Sequence, residues 1–327
     1  MVRGTRSLAS VGDLPDPPGP VSLALLVPGA GGQLGTDVLR AVAHRRDAFA
    51  RGLTRADLDV TDAFAVLDLV GRWARVLRAD DPAHRLVVVN TAAWTDVDAA
   101  EAHEEAAYAV NASAPALLAT ACARVGARLL HVSTDYVFPG DRAVPGEQAT
   151  PYDVDDPTGP RTAYGRTKLA GELAVREVLP DASWVVRTAW LYGGAGRHFV
   201  RTMARLERAQ QTVQVVDDQT GSPTWSRELA DRLVALAGSD VAAGTLHAAG
   251  HGATTWHGLA RAVFEELGAD PARVLPVPTD LLARPAPRPA WSVLSSRAWD
   301  AAGLPPLSPW REALTQAGKD RGLLGAE

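Results

Sequence analysis

"VSLALLVPGAGGQLG", residues 21–35, decides how the rest of this 327-residue chain is read. Its apolar run stops at glycine, and "QLGTDVLRAVAHRR" then takes up helical spacing. Gly29, Gly32 and Gly35 stand at GxxGxxG spacing in the turn between the two. The first permits a tight turn, and the second lets backbone approach a phosphate. The third lets helix and strand pack, which leaves helix N-terminal amides aimed at a pyrophosphate. Glycines also mark ordinary turns. The position of this triplet, at the chain's first strand–helix junction, is what points to a dinucleotide.

The same alternation continues downstream. "LVVVN" (86–90), "ARLLHVSTD" (127–135) and "SWVVRTAW" (183–190) are apolar bursts that end in polar residues. Between them lie the helix-length stretches "TDAFAVLDLVGRWARVLR", "AAYAVNASAPALLATACARVG" and "TAYGRTKLAGELAVREVL". Strands alternating with helices at this spacing predict βαβ units and a parallel sheet buried on both faces. The predicted fold is α/β, a Rossmann-like doubly wound parallel sheet with a smaller C-terminal lobe. Residues 1–20, rich in Pro, Gly and Asp, read as a flexible extension, and residues 21–190 as the NAD(P)-binding domain. "DDPTGPR" (155–161) reads as a loop in front of a helix. After about residue 190 the regularity loosens. Residues 191–327 are expected to form mainly a loop-rich, substrate-binding lobe interleaved with the end of the sheet.

Composition narrows the class. A formal net charge of -5 argues against a general nucleic-acid binder. Cys122 is the only cysteine, which excludes an internal disulfide and a thiolate cluster, and its apolar surroundings read as core. No uninterrupted apolar run approaches 18 residues, so no membrane span is expected, and the N-terminus lacks a signal-peptide core. The expected compartment is the cytoplasm.

The end of the second strand bears on the cofactor. An NAD site would place an acid there, but "ARGLTRADLDVTD" offers Arg55 after Leu53 or Thr54. An arginine can take a 2′-phosphate, which favours NADPH with NADH still possible; a solvated surface role for Arg55 stays open. Asp59 and Val60 lie close enough for carboxylate and backbone to reach an adenine.

"AYGRTKLAGE" (163–172) holds one of only two lysines in an arginine-rich chain. Tyr164 and Lys168 are four apart and share a helix face. A tyrosine near its ordinary pKa of ~10 is poorly matched to proton transfer at neutrality, and a neighbouring ammonium is expected to lower it. Lysine is also a compact donor for a nicotinamide ribose, a role that arginine's planar fork fills less well. Just past a strand end, Thr134 can hydrogen-bond a substrate carbonyl and Asp135 a sugar hydroxyl, although Ser133 and Thr134 also suit a loop cap.

Taken together, these residues resemble the extended short-chain dehydrogenase/reductase family. "GAGGQLG", "LDVTD", "NTAAWTDVDAAE", "HVSTDYVFPG", "AYGRTKLAGE", "VVRTAWLYG", "VVDDQTGSPTW", "GATTW" and "RPAWSVL" are similar, within it, to the dTDP-4-dehydrorhamnose reductases. The resemblance runs from about residue 22 to about 318. It implies reduction of a dTDP-4-keto-6-deoxyhexose by NAD(P)H, with Thr134 and Tyr164 at the keto group and Lys168 on the nicotinamide ribose. It further implies that Gly32, Gln33, Leu34, Asp59, Val60, Ala92 and Ala93 line the cofactor. Asp135 and Trp190 would contact the sugar nucleotide, and Arg288 would lie near its diphosphate.

Several positions depart from the family pattern: Thr91 in "NTAA", His198 before Phe199, and Pro287 where an arginine is common. Some relatives bind magnesium between subunits. Asp37 occupies one such position without a full set of partners, so no metal is expected, and a homodimer is left open. Asp96, Asp98 and Glu101 read as a helix-start and surface feature rather than a cation site. Two alternatives remain: a reductase of another dTDP-4-ketodeoxysugar in specialised glycoside synthesis, and a non-catalytic regulatory subunit. The second predicts loss of the Tyr-Lys pair, which is present.

Overall fold

The computed structural model describes residues 23–142 and 149–320. The extension expected over residues 1–20 lies outside them. β1 (Leu23–Pro28) runs into the glycine turn and α1 (Gln33–Ala43). β2 (Ala48–Leu53), α2 (Ala63–Asp80) and β3 (Arg85–Asn90) follow, then two short helices, α3 (Val97–Ala102) and α4 (Glu104–Tyr108). One π turn, Ala109–Ser113, leads into α5 (Ala114–Val125), β4 (Arg128–Thr134), α6 (Ala163–Val178) and β5 (Ser183–Thr188).

The later chain builds β6 (Leu191–Tyr192), α7 (Phe199–Ala209), β7 (Val213–Val216), β8 (Thr220–Gly221) and β9 (Thr224–Trp225). It continues through α8 (Ser226–Ala237), β10 (Gly244–His247), β11 (Thr254–Thr255), α9 (Trp256–Glu266) and β12 (Val274–Val277). α10 (Arg297–Ala301) and α11 (Trp310–Lys319) complete it.

Among the described residues, one six-stranded sheet has the order β10-β5-β4-β3-β1-β2, parallel throughout. Period-two alternation explains its two covered faces. Leu23, Leu25, Val27, Val87 and Val89 point to one side and pack with Val38 of α1, Leu229 and Leu233 of α8, and Trp299 of α10. Ala24, Leu26, Leu86 and Val88 point to the other and pack with Val66 and Trp73 of α2, Leu118 and Cys122 of α5, and Val175 of α6. This is the doubly wound arrangement that the apolar bursts predict.

The stretch Glu104–Val125 has a mean hydropathy of 1.3 and is long and apolar enough to cross a bilayer by length and composition. Here it is a core helix. Leu118, Ala119 and Cys122 are fully buried, and burial pushes the Cys122 thiol up.

After residue 190 the chain does two jobs. α8, β10 and α10 return to the main sheet. α7, α9 and α11 enclose a separate core with β7 and β12, built on Tyr192, Val200, Met203, Val215, Phe264 and Leu314. Asp37 of α1 ties that helix to α8: its Oδ2 accepts the Ser226 hydroxyl at 2.5 Å, and its Oδ1 the Arg40 guanidinium at 3.3 Å.

Candidate active site

Strand order reverses beside β1, because β2 lies on one side of it and β3 on the other. A crevice opens beyond the carboxyl ends at such a point. There Gly29 takes φ +86, and a Cβ on it would stand 2.5 Å from the Ala92 amide nitrogen. A Cβ on Gly35 would collide with the Gly29 carbonyl. Gly32 caps α1 with no side-chain hydrogen bond, and among the described residues no acid occupies that first turn. The amides at Gln33 and Leu34 are therefore left for an anion. The Gln33 amide nitrogen beside them is buried without a partner among the described residues.

Opposite, Ala92 is fixed by its amide, which donates to Asn90 Oδ1 at 3.1 Å, and Ala93 follows it. Thr91 has a structural use: its hydroxyl donates to the Pro28 carbonyl at 2.8 Å and ties the ends of β1 and β3. Behind them, Asn90 Nδ2 and His131 Nδ1 are 3.1 Å apart. Since Asn90 Oδ1 accepts from Ala92, Nδ2 is the donor and the imidazole Nδ1 the acceptor. Burial, aided by the Lys168 charge, holds His131 well below the ordinary imidazole value, so it is neutral.

β2 ends at Leu53, leaving Arg55 exposed in the following turn, where its charge helps to lower Asp59. The Asp59 carboxylate is engaged by the amide and hydroxyl of Thr61, at 3.0 and 2.7 Å. Val60 packs against the α2-side core. Asp57, unflagged by the sequence reading, braces this turn by accepting from the Thr54 amide and hydroxyl.

Thr134 is the last residue of β4, and Asp135 opens a single 3-10 turn, Asp135–Val137. α6 begins one residue before Tyr164 and is capped by Thr162, which accepts from the Gly165 amide at 3.0 Å. Glu101 Oε1 accepts the Ala163 amide at 2.9 Å. Lys168, one turn on, is 2% exposed and donates from Nζ to the Val132 carbonyl at 2.7 Å. Burial pushes its pKa down to about 8, against an opposing pull from Glu172. Ser133 is not a loop cap: its hydroxyl donates to Glu172, which also receives the buried Arg187 guanidinium.

The expected depression of the tyrosine is not met. Burial pushes Tyr164 up to about 12, with the Thr134 hydroxyl bonding against that rise and the Asp135 charge adding to it. Lys168 does not offset this, because its own ammonium is desolvated and turned to a backbone carbonyl. Asp135 is itself pushed up to about 6 by burial, although the Thr134 hydroxyl donates to its Oδ1 at 3.0 Å.

A cavity of about 630 Å³ adjoins this group. Tyr136 joins the two: it lines the cavity and meets the Tyr164 ring edge-on at 5.6 Å. Phe199, Met203, Val215, Trp256 and Leu282 supply the apolar wall, and Arg284, Pro287 and Arg288 close one side.

Trp190 sits differently from the direct contact expected of it. Its ring stacks on Trp256 at 3.5 Å and 5°, and Trp256 is the one of the pair that lines the cavity. Trp190 takes φ +45, alone among the described non-glycine residues in having positive φ, and its ring lies where any Cβ on Gly221 would be. Such strain is held in place by its surroundings. Trp256 was legible only as part of "GATTW", with nothing to place it.

Arg288 does face the cavity, but the surface role read for the acidic cluster is corrected. Asp96 caps α3, whereas Asp98 Oδ2 accepts from Arg288 Nη2 at 2.7 Å and Glu101 holds α6. Asp96 thus keeps the helix-start role read for it, and Asp98 and Glu101 are spent on tertiary contacts. His198 caps α7, accepting from the Arg201 amide at 3.3 Å, a job that asparagine would also do.

Comparison with known proteins agrees with this geometry. The family model for the RmlD substrate-binding domain matches residues 23–321. A dTDP-4-dehydrorhamnose reductase from Streptomyces griseus is 52% identical over 89% of this chain and 92% of its own. A dTDP-4-keto-6-deoxy-D-glucose reductase from Streptomyces niveus is 46% identical over 89% of this chain and 95% of its own. Among solved structures, that of dTDP-4-dehydrorhamnose reductase from Bacillus anthracis in complex with NADP superposes with a TM-score of 0.82. It is 31% identical, covering 90% of this chain and 98% of that one. With the match spanning both the crevice and the cavity, this chain belongs to the RmlD substrate-binding-domain family.

Proposed function

We propose that this protein reduces the 4-keto group of dTDP-4-dehydro-6-deoxy-L-mannose to dTDP-L-rhamnose, using NADPH, with NADH as a possible substitute. The observation that carries the reading is the grouping of Tyr164 with Thr134 and, one helical turn on, Lys168, with the Tyr164 ring against the cavity-lining Tyr136. The names of the 52% and 31% identical relatives and the NADP in the Bacillus anthracis structure support it.

The residues present fit the cofactor: Gly29, Gly32 and Gly35 leave the turn free of side chains for its pyrophosphate, the backbone amides of Gln33 and Leu34 would face it, and Ala92 and Ala93 would form the opposite wall. Arg55, exposed after β2, would take a 2′-phosphate, and Asp59 and Val60 would border the adenine. Bound there, the nicotinamide supplies the hydride for the keto carbon. Lys168 holds the ribose through its ammonium. The Thr134 hydroxyl, turned from Asp135 Oδ1 when the substrate binds, would donate to the keto oxygen, and Tyr164 donates its phenolic proton to that oxygen as negative charge develops. A phenol near pKa 12 is fully protonated at neutral pH, as a proton donor must be.

Residues 21–190 serve mainly the dinucleotide. Residues 191–327 serve mainly the sugar nucleotide, with Trp256 as an aromatic platform backed by Trp190, Arg288 toward the diphosphate and Asp135 toward a sugar hydroxyl. The reaction belongs to a soluble, cytoplasmic enzyme.

The Streptomyces niveus relative favours a second reading, reduction of another dTDP-4-ketodeoxysugar for a specialised glycoside. One experiment separates them: NADPH oxidation with the L-configured ketosugar formed in place by an epimerase, then product identification. dTDP-L-rhamnose at an enzyme-like rate establishes the first; turnover only with other ketosugars establishes the second. No turnover with any ketosugar, despite cofactor binding, leaves a non-catalytic binding protein. In Tyr164→Phe, turnover should fall by about 10²-fold or more while NADPH still binds. Near-normal turnover would refute the mechanism.

A further inference from the structure

The acidic cluster read from sequence as a surface feature has one member with an unexpected partner set. Asp98 lies on α3, a short distance after the Ala92 and Ala93 wall of the cofactor crevice. Its Oδ2 is 2.7 Å from Arg288 Nη2 and 3.9 Å from Arg284 Nη1, and its Oδ1 accepts the Ala286 amide at 3.2 Å. Arg288 is further pinned by its Nη1, which donates to the Ala286 carbonyl at 2.8 Å. Arg284, Ala286, Pro287 and Arg288 all line the cavity.

Two guanidiniums share the one Asp98 carboxylate, and Asp280, the other acid lining the cavity, forms no ion pair with either of them among the described residues. Arg288 is the buried member, with 12% of its side chain exposed, and Arg284 the open one, at 54%. A guanidinium has five donors. Arg288 uses one on Asp98 and one on Ala286, so three remain for an anion. Without the carboxylate, two like charges on one short loop would repel; the chain is next anchored to the cofactor half only beyond the loop, where the Ala290 and Trp291 amides donate to the Gly140 carbonyl at 3.0 and 3.1 Å.

We propose that Asp98 is a positioning residue for substrate recognition: it latches the 284–288 loop onto the cofactor-binding half so that Arg288 and Arg284 meet the diphosphate of the nucleotide sugar. The inference rests on the reading of the cavity as the nucleotide-sugar site. Asp98 touches no substrate atom and acts through the arginines. Glu101, on the same short helix, holds the amide of Ala163 beside Tyr164. One helix thus braces both the diphosphate arginines and the helix of the proton donor.

The test compares Asp98→Asn, Asp98→Glu, Arg288→Gln and the Asp98→Asn/Arg288→Gln double variant. It reads KM for the ketosugar nucleotide, competitive inhibition by thymidine diphosphate and by thymidine, and NADPH binding by fluorescence. Asp98→Asn should weaken both the substrate KM and thymidine diphosphate inhibition by about tenfold, the scale of one charge-assisted contact. Thymidine inhibition and NADPH binding should not move, and Asp98→Glu should restore part of the loss. In the Arg288→Gln background the Asp98 change should add little, since both belong to one interaction.

Additive losses, or equal losses for thymidine and NADPH, would overturn the latch in favour of a general structural role. Tighter thymidine diphosphate binding by Asp98→Asn would overturn it too, by showing that the carboxylate competes with the phosphate. If Asp98→Asn does not fold, Asp98→Glu and Arg288→Gln carry the same comparison. If thymidine diphosphate fails to compete in the unaltered enzyme, the reading of the cavity falls. If it competes there but is insensitive to Asp98, only the latch falls.

Discussion

Lys168 should make stability and activity move in opposite directions across the same pH window. Its ammonium is 2% exposed, and burial lowers its pKa from 10.5 to about 8. Below pH 8 both folded and unfolded chains carry the proton, and the folded chain bears the whole desolvation cost. Between about 8 and 10.5 the folded chain has lost the proton while the unfolded chain retains it, so this group's contribution to stability rises with pH. At one pKa unit per ~1.4 kcal/mol, the full rise is roughly 3 kcal/mol. Activity runs the other way. At pH 9 only about a tenth of the free enzyme would keep the ammonium that holds the cofactor ribose. The profile of kcat/KM for NADPH should therefore fall through an apparent pKa near 8, because that ratio reports the free enzyme. Denaturant unfolding at pH 7 and pH 10, with Lys168→Met as the reference, isolates the stability term. A kinetic profile for Lys168→Arg tests the other half, since arginine stays charged and the alkaline limb should disappear. An unchanged limb in Lys168→Arg, or the same pH dependence of stability in Lys168→Met as in the parent, would refute the reasoning.

Gly29→Ala should lose NADPH binding and about 1–3 kcal/mol of stability, because φ +86 and the Ala92 amide at 2.5 Å leave no room for a Cβ; a parental Tm and cofactor Kd would contradict this. Arg55→Ala should reduce the kcat/KM preference for NADPH over NADH by roughly tenfold, as expected for one lost phosphate contact. An unchanged ratio would remove Arg55 from the site. Trp256→Ala should raise the KM for the sugar nucleotide by about tenfold through loss of an aromatic face, with NADPH binding intact; unaltered KM would show that the cavity is not the nucleoside's.

The features legible in the sequence are those that local geometry dictates. The glycine triplet encodes a turn, a close approach to phosphate and a packing contact within seven residues, and the turn at Gly29 and the packing contact at Gly35 occur where the motif places them. Tyr164 and Lys168 are adjacent because helix periodicity makes them so. The cavity wall is different in kind. Asp98 meets Arg288 across 190 residues of sequence, and Trp256 reaches Trp190 only after the chain has built β7, β8 and β9. No spacing rule carries that information. A carboxylate near a helix start looks the same in sequence whether it faces water or a partner from the far end of the chain.

The tyrosine shows how a residue can stand out in sequence while its electrostatics do not. Sequence displays a lysine one turn away, and proximity alone argues for a depressed phenol. It does not display burial, which here acts on both groups, raising Tyr164 to about 12 and lowering Lys168 to about 8. Each shift favours the neutral form, and the Asp135 charge adds to the tyrosine's. For reduction of a ketone that is the useful outcome. The free enzyme holds nearly all its tyrosine as the proton donor at neutral pH, and the phenolate left by each turnover regains its proton before the next. A depressed tyrosine would suit the reverse oxidation, which needs a base. The buried pair therefore argues for a tyrosine that meets the substrate as an acid at neutral pH.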